Sequence, residues 1–224
     1  QPEPVLVSWS GGKDSSLSLE AVLQNDALEV VCLVTTVTSD YERISMHGVR
    51  LSLLLQQAKS LQLPLEQVRI PPQASNAIYE SAMREMLTRH KKRGVRRVVF
   101  GDLFLEEIRS YRQNNLAKVK MDGIYPIWGK ETTPLGEQFI EKGFKAILAC
   151  VDPKQIDPSF CGREYDHSLL KELPPQADRC GENGEFHTFV YDGPIFKQPI
   201  PVERGEVVER DGFWFCDLKE PASV

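Results

Sequence analysis

The strongest constraint on the fold is an alternation that runs through the first 150 residues, in which short β-branched apolar runs are separated by stretches with helical spacing. Val5 to Trp9 is a compact buried-strand run, and Val30 to Val37 is a second, rich in the branched residues that suit a pleated surface. Leu65 to Ile70, Arg97 to Gly101 and Phe144 to Val151 continue the series. Between them, Ser15 to Gln24, Val49 to Leu61, Asn76 to Arg93 and Leu135 to Lys142 place apolar residues three and four apart, as one face of a helix requires. Strands joined through helices of this length need crossover connections, which are right-handed and give a parallel, doubly wound α/β sheet. After Asp152 the pattern changes: a turn-rich stretch runs to Pro158, one short helix spans His167 to Glu172, and strand candidates punctuated by Gly and Pro follow. The expected organisation is a larger α/β domain over residues 1–145 and a smaller α+β domain over 146–224.

Composition narrows the classes of function. The chain has 224 residues, and its 27 Lys plus Arg against 32 Asp plus Glu give a formal charge of −5. That balance disfavours a protein that coats nucleic acid or an anionic membrane, since both need a positive field. Ala27 to Val37, the longest apolar stretch, falls well short of the roughly 20 residues of a membrane-spanning helix. No signal peptide is visible in Gln1-Pro2-Glu3-Pro4. Five cysteines without a C-x-x-C pair argue against both a disulfide framework and a Cys-rich zinc site. The expectation is a cytoplasmic protein.

The segment that carries chemistry is Ser10-Gly11-Gly12-Lys13-Asp14-Ser15-Ser16, between the first strand and the first helix. Two glycines let the backbone turn tightly and present its N–H groups, and the helix that follows adds unpaired N–H donors with a partial positive charge. Lys13 supplies a mobile cation, and Ser10, Ser15 and Ser16 supply hydroxyls. Together they form an anion cradle at the C-terminal edge of the sheet, suited to phosphate. Neither the Walker pattern nor the G-x-G-x-x-G dinucleotide fingerprint is present.

The S-G-G-x-D-S pattern resembles the pyrophosphate loop (PP-loop) of the ATP pyrophosphatases in the adenine nucleotide alpha hydrolase (HUP-like) superfamily. Further segments extend the resemblance along the chain: Ile44-Ser-Met-His-Gly-Val-Arg50, Phe100-Gly-Asp102, Tyr125-Pro-Ile-Trp-Gly129, Phe160-Cys-Gly-Arg-Glu-Tyr-Asp166 and Gly181-Glu-Asn-Gly-Glu-Phe-His-Thr188. They are similar to those of the diphthine–ammonia ligase family. The resemblance implies an ATP-dependent ligase: a substrate carboxylate is adenylated, pyrophosphate leaves, and ammonia or an amine displaces AMP to give an amide. The E-N-G-E-F-H-T form departs from the E-G-G-E-x-E expected of ligases that finish diphthamide. Asn183 stands for a glycine and His187 for an acidic residue, so an acceptor other than diphthine, small or protein-borne, is expected.

The resemblance also suggests roles for residues. Ser10, Gly11, Gly12, Lys13, Asp14, Ser15 and Ser16 would hold the phosphates of ATP, with Asp14 binding Mg²⁺. Thr35, Thr36 and His47 would meet the nucleotide, and Gly101 and Asp102 end a strand at the same sheet edge. Lys13, Asp14, Glu182, Glu185 and His187 form the expected catalytic set, the last three being two carboxylates and an imidazole on either side of the Asn183-Gly184 turn. Arg109 and Arg112 could meet phosphate or carboxylate or remain a solvated face. The basic run Arg89 to Arg97 sits at a helix C-terminus, which favours cations. Nucleic acid is not expected as a partner, and a homodimer stays open. Two alternatives remain: a tRNA-thiolating PP-loop enzyme, with Cys161 and Cys180 as persulfide carriers, and a non-catalytic adenine nucleotide sensor.

Overall fold

A computed structural model of the chain describes residues 1–39, 43–44 and 47–223. The first sheet is built from β1 (Glu3–Ser8), β2 (Leu28–Thr38), β4 (Leu65–Ile70), β5 (Arg97–Val99) and β6 (Asp122–Ile124), all parallel, with β3 (Arg43–Ile44) pairing antiparallel to Val37 and Thr38. β1 lies at the centre, flanked by β2 and β5, with β4 beyond β2 and β6 beyond β5. The chain therefore winds outward through β2 and β4, then returns across β1 to build the other half. This reversal is the crevice where open α/β sheets place ligands.

The two windings put helices on both faces. Val5, Val7 and Trp9 alternate with Leu6 along the first strand, as a period of two demands. The first set joins a core with Leu17 and Leu19 of α1 (Lys13–Leu23) and Leu53, Leu54 and Ala58 of α2 (Leu51–Leu61). Leu6 faces the opposite core, shared with Met86 and Leu87 of α3 (Asn76–Lys92) and Leu116 of α4 (Glu106–Lys118). Ser75 caps α3 by accepting from the Ile78 N–H at 3.3 Å.

The strand expected to extend the parallel sheet near residue 144 does otherwise. After α5 (Thr132–Glu141), β7 (Lys145–Val151) pairs antiparallel with β8 (Phe186–Asp192) and β10 (Phe213–Lys219), and β9 (Glu203–Arg210) forms the outer edge. The order of this second sheet is β8-β7-β10-β9. A continuous apolar run identifies a strand buried on both faces, but it does not choose the neighbours, and an inner strand of an antiparallel sheet reads the same. The short strands β3 and β6 also escape sequence reading, because two or three residues carry no periodicity. α6 (His167–Glu172) is capped by Asp166, which accepts from the Leu169 N–H at 2.8 Å.

The second sheet shares a core with the first: Phe144, Ile147, Phe186, Phe189 and Val190 pack in one cluster with Trp9, Leu54 and Phe139. One polar side chain joins the parts. The Gln57 amide, fully buried on α2, accepts from the Trp9 indole N–H at 3.0 Å and donates to the carbonyls of Gly11 (3.0 Å) and Val190 (2.7 Å). Among the described residues no helix is long and apolar enough to cross a membrane.

Truncating Gln57 takes a partner from the buried Trp9 indole N–H and from the Val190 carbonyl. Gln57→Ala is expected to lower the unfolding free energy by about 2–4 kcal/mol, measured by urea denaturation.

Candidate active site

The loop after the central strand takes its shape from the second sheet. Gly11 adopts φ +78°, a left-handed conformation that favours glycine, and a Cβ there would lie 2.8 Å from the Gln57 amide oxygen. The Gly11 carbonyl accepts from the Val190 N–H at 2.8 Å, while the Lys13 N–H donates to the Thr188 hydroxyl at 2.9 Å. Strand β8 thus holds the loop on either side of Gly12. The Ser15 and Ser16 hydroxyls both donate to the Gly12 carbonyl, at 3.1 and 2.9 Å, and the Ser10 and Ser15 hydroxyls are hydrogen-bonded at 3.1 Å. The first turn of α1 consequently starts from a braced loop with its N–H groups directed beyond the helix end.

The end of β5 closes on this turn. A Cβ on Gly101 would stand 2.9 Å from the carbonyl carbon and oxygen of Asp14, so only glycine permits the approach. Asp102 follows, almost buried, and its carboxylate accepts from Arg112 at 2.7 and 3.3 Å. Glu182 reaches across from the second domain's turn and accepts from the N–H groups of Leu103 and Phe104. Asp178 accepts from the Cys180 and Glu182 N–H groups, at 3.1 and 3.0 Å, which fixes that turn.

Asp102, Asp178 and Glu182 therefore gather around Asp14, the partner of Lys13. The lysine is 1% exposed, paired with the Asp14 carboxylate, and its ammonium lies 5.7 Å from the centre of the Tyr165 ring. Burial alone would push this ammonium down, but the adjacent Asp14 carboxylate reverses that and holds it above the ordinary lysine range. Burial, with Asp14 and Asp102 nearby, pushes the Glu182 carboxyl up to about 7. The Asp14 carboxylate offers hard oxygen donors, with the Glu182 carboxyl beside it.

Not every expected residue joins this group. Glu185, 1% exposed, accepts from the Asp178 N–H at 3.1 Å through one oxygen, and its other oxygen is buried without a hydrogen-bond partner among the described residues. It positions Asp178. Alternation along β8 directs Thr188 to the loop and His187 to the other side, where its ring stacks on His47 with centroids 4.2 Å apart. Burial pushes His187 down to about 4, and burial with His187 alongside keeps His47 well below the usual histidine range. Both imidazoles are neutral near pH 7. Thr35 and Thr36 lie toward the C-terminal end of β2, Thr35 buried and Thr36 half-buried, and neither hydroxyl bonds the loop among the described residues. Ser45 and Met46, part of the segment containing His47, lie outside the described residues.

Other sequence features acquire structural roles. Arg112 lies over the Phe100 ring at 4.5 Å while pairing with Asp102, and Arg109 sits between Tyr125 and Trp128 at 4.8 and 4.7 Å. In the basic run, Arg89 and His90 meet Glu66, Lys91 and Arg96 bond backbone carbonyls, and Arg97 pairs with Glu3. Cys161 and Cys180 are buried, and burial pushes each thiol up to about 12. Sequence reasoning did not assign Thr188, Gln57, Tyr165 or Asp178. Thr188 and Tyr165 stand inside quoted segments, but Asp178 and Gln57 carry no local signal.

An open cavity of about 460 Å³ adjoins the carboxylates, lined in part by Phe104, Thr132, Thr133, Asp178, Arg179 and Asn183. A doubly wound sheet with an S-G-G-x-D-S loop at its switch point defines an α/β protein of the adenine nucleotide alpha hydrolase type. The chain matches the family models described as diphthamide synthase N-terminal domain, over residues 4–120, and diphthamide synthase C-terminal domain, over 131–223. It belongs to that family. A diphthine–ammonia ligase from Schizosaccharomyces pombe is 27% identical over 98% of this chain and 39% of its own length. Those from Bos taurus and Mus musculus are 28% and 24% identical, covering 51% and 89% of this chain and 45% and 82% of theirs. The chain thus spans less than half the length of the first two relatives.

The raised Glu182 carboxyl predicts a pH-dependent stability. Its folded-state pKa of about 7 exceeds the ordinary 4.5, so ionisation costs stability as pH rises between those values, and the cost is complete above 7. Glu182→Gln retains an oxygen that accepts from Leu103 and Phe104 but removes the charge. Relative to the unmodified chain it should gain about 1 kcal/mol near pH 8, after allowance for solvent screening, and about nothing near pH 4. Thermal unfolding of both proteins across that range measures it.

Proposed function

We propose that the chain is an ATP-dependent ligase that adenylates a carboxylate, releases pyrophosphate and forms an amide with ammonia or an amine. The observation that carries this reading is the meeting of the braced S-G-G loop, the buried Lys13 and four carboxyl groups at one helix N-terminus. The activity in the relatives' name, which joins ammonia to diphthine, is the same class of reaction.

On this reading the N–H groups of the first α1 turn, with Ser10, Ser15 and Lys13, bind the phosphates of ATP. Asp14, with Asp102, Asp178 and Glu182 nearby, would hold Mg²⁺, and that ion, when bound, neutralises charge on the phosphates. Lys13 turns from Asp14 to the departing pyrophosphate and stabilises its charge. Gly11, Gly12, Ser16 and Gly101 keep the cradle's shape, and Thr35, Thr36 and His47 belong to the nucleotide side. Glu185 acts through Asp178, and His187 acts through its stack on His47.

The cavity beside the carboxylates is the proposed acceptor pocket, closed from the 146–224 side. Asn183, one departure from the pattern of the diphthamide-finishing ligases, lines it, which supports an acceptor other than diphthine. The other departure, His187, faces away. A cytoplasmic enzyme acting on such an acceptor, without nucleic acid, fits the engagement of the basic run within the fold.

A second reading, thiol transfer, draws support from Cys180, whose thiol lies beside Lys13. That thiol donates to the Thr132 carbonyl at 3.2 Å, and its pKa near 12 leaves little thiolate for attack. Incubation with ATP, Mg²⁺, ammonium and a panel of carboxylates should release AMP and pyrophosphate together. Lys13→Met should reduce that turnover by about a hundredfold or more, whereas Cys180→Ala should leave it within about threefold. Loss of turnover in folded Cys180→Ala would favour thiol transfer. Nucleotide binding without AMP release under any condition would favour the sensor.

A further inference from the structure

Away from the loop, three potential metal ligands converge on the α3 side of the parallel sheet. Cys32 lies on β2, Glu66 on β4 and His90 near the C-terminal end of α3, and one donor atom from each falls within 4.8 Å of the others. Val34 pairs with Glu66, and Cys32 stands two residues before Val34, so the thiol and the carboxylate share one face of adjacent strands. His90, 6% exposed, comes down onto them from the helix and meets one Glu66 oxygen through Nε2. Arg89 donates to the other Glu66 oxygen at 2.6 Å, which orients the carboxylate toward His90.

We propose that Cys32, Glu66 and His90 form a zinc site that fastens α3 to the sheet. A thiolate, an imidazole and a carboxylate make a mixed soft and borderline donor set, one that favours Zn²⁺ over Mg²⁺ or Ca²⁺. Bound at about 2.0–2.3 Å from each donor, one ion spans the gap with small side-chain movements. The Cys32 thiol proton passes to solvent as the sulfur–zinc bond forms, and His90 exchanges its contact with Glu66 for the ion. Arg89 remains on the carboxylate as an outer partner that holds it in place. The Pro64 carbonyl, 3.7 Å from the Cys32 sulfur, or a water completes four-coordination.

The helix has reason to need such a fastening. Of its 17 residues only Met86, Leu87 and His90 are buried, with Ala82 and Met83 packed partly against the same core. Sequence reading missed the set because its members stand at positions 32, 66 and 90, without the close spacing that marks familiar zinc motifs.

The test uses the full chain, stripped of metal by a chelator and titrated with Co²⁺ and, separately, Zn²⁺. Co²⁺ should produce thiolate-to-metal charge-transfer absorption that saturates at one equivalent. Zn²⁺ should raise the melting temperature by about 4 °C or more. Cys32→Ser should abolish the absorption, and His90→Gln should weaken Co²⁺ binding at least about tenfold while circular dichroism confirms folding. No charge-transfer absorption, or absorption that persists in Cys32→Ser, overturns the proposal. Oxygen-only binding at the Asp14 carboxylates cannot produce that signature, so the result is independent of the ligase reading.

Discussion

The arrangement depends on strand β8 gripping the loop that follows β1. Val190 donates to Gly11, Thr188 accepts from Lys13, and Gln57 ties both segments to α2 and Trp9. The Thr188 bond satisfies the Lys13 N–H, which an isolated α/β sheet would leave to solvent or ligand at the start of α1. The second sheet is therefore part of the anion cradle's construction. Its shared core with the first sheet has the same consequence: removing the C-terminal segment would expose Trp9 and Leu54 as well as release the loop.

Crowding of like charge is the second constraint. Four carboxyl groups with one buried ammonium are unfavourable in a ligand-free protein, and the upward shifts at Asp14 and Glu182 register that cost. Backbone donors hold the arrangement in place: Leu103 and Phe104 on Glu182, and the Glu182 and Cys180 N–H groups on Asp178. Arg112 neutralises Asp102 from behind. On the proposed reading, a bound cation would relieve that crowding and so link stability to ligand occupancy.

Much of this was legible in the chain because it rests on local signals. The alternation of Val5–Trp9, Val30–Val37 and their successors with helical stretches predicted the parallel sheet, and the glycine pair before Lys13 located the loop. What escaped depends on contacts between distant segments. Nothing local distinguishes β7 as a member of an antiparallel sheet, since burial on both faces leaves pairing unspecified. Glu182, Glu185 and His187 stand within six residues and seemed a single catalytic unit. The fold separates them: Glu182 bends across to Leu103, Glu185 buries itself behind Asp178, and the pleat turns His187 away toward His47.

The parallel sheet also divides the molecule end from end. Strand C-termini gather the loop, Gly101 and Asp102, whereas α3 runs back so that its last turn lies near the strand N-termini. Glu66, the second residue of β4, belongs to that end. A fastening of α3 at that end, as proposed, would leave the C-terminal edge and its carboxylates untouched. A fold whose reacting edge is electrostatically strained gains from stability placed far from that edge, where it does not compete with ligand binding.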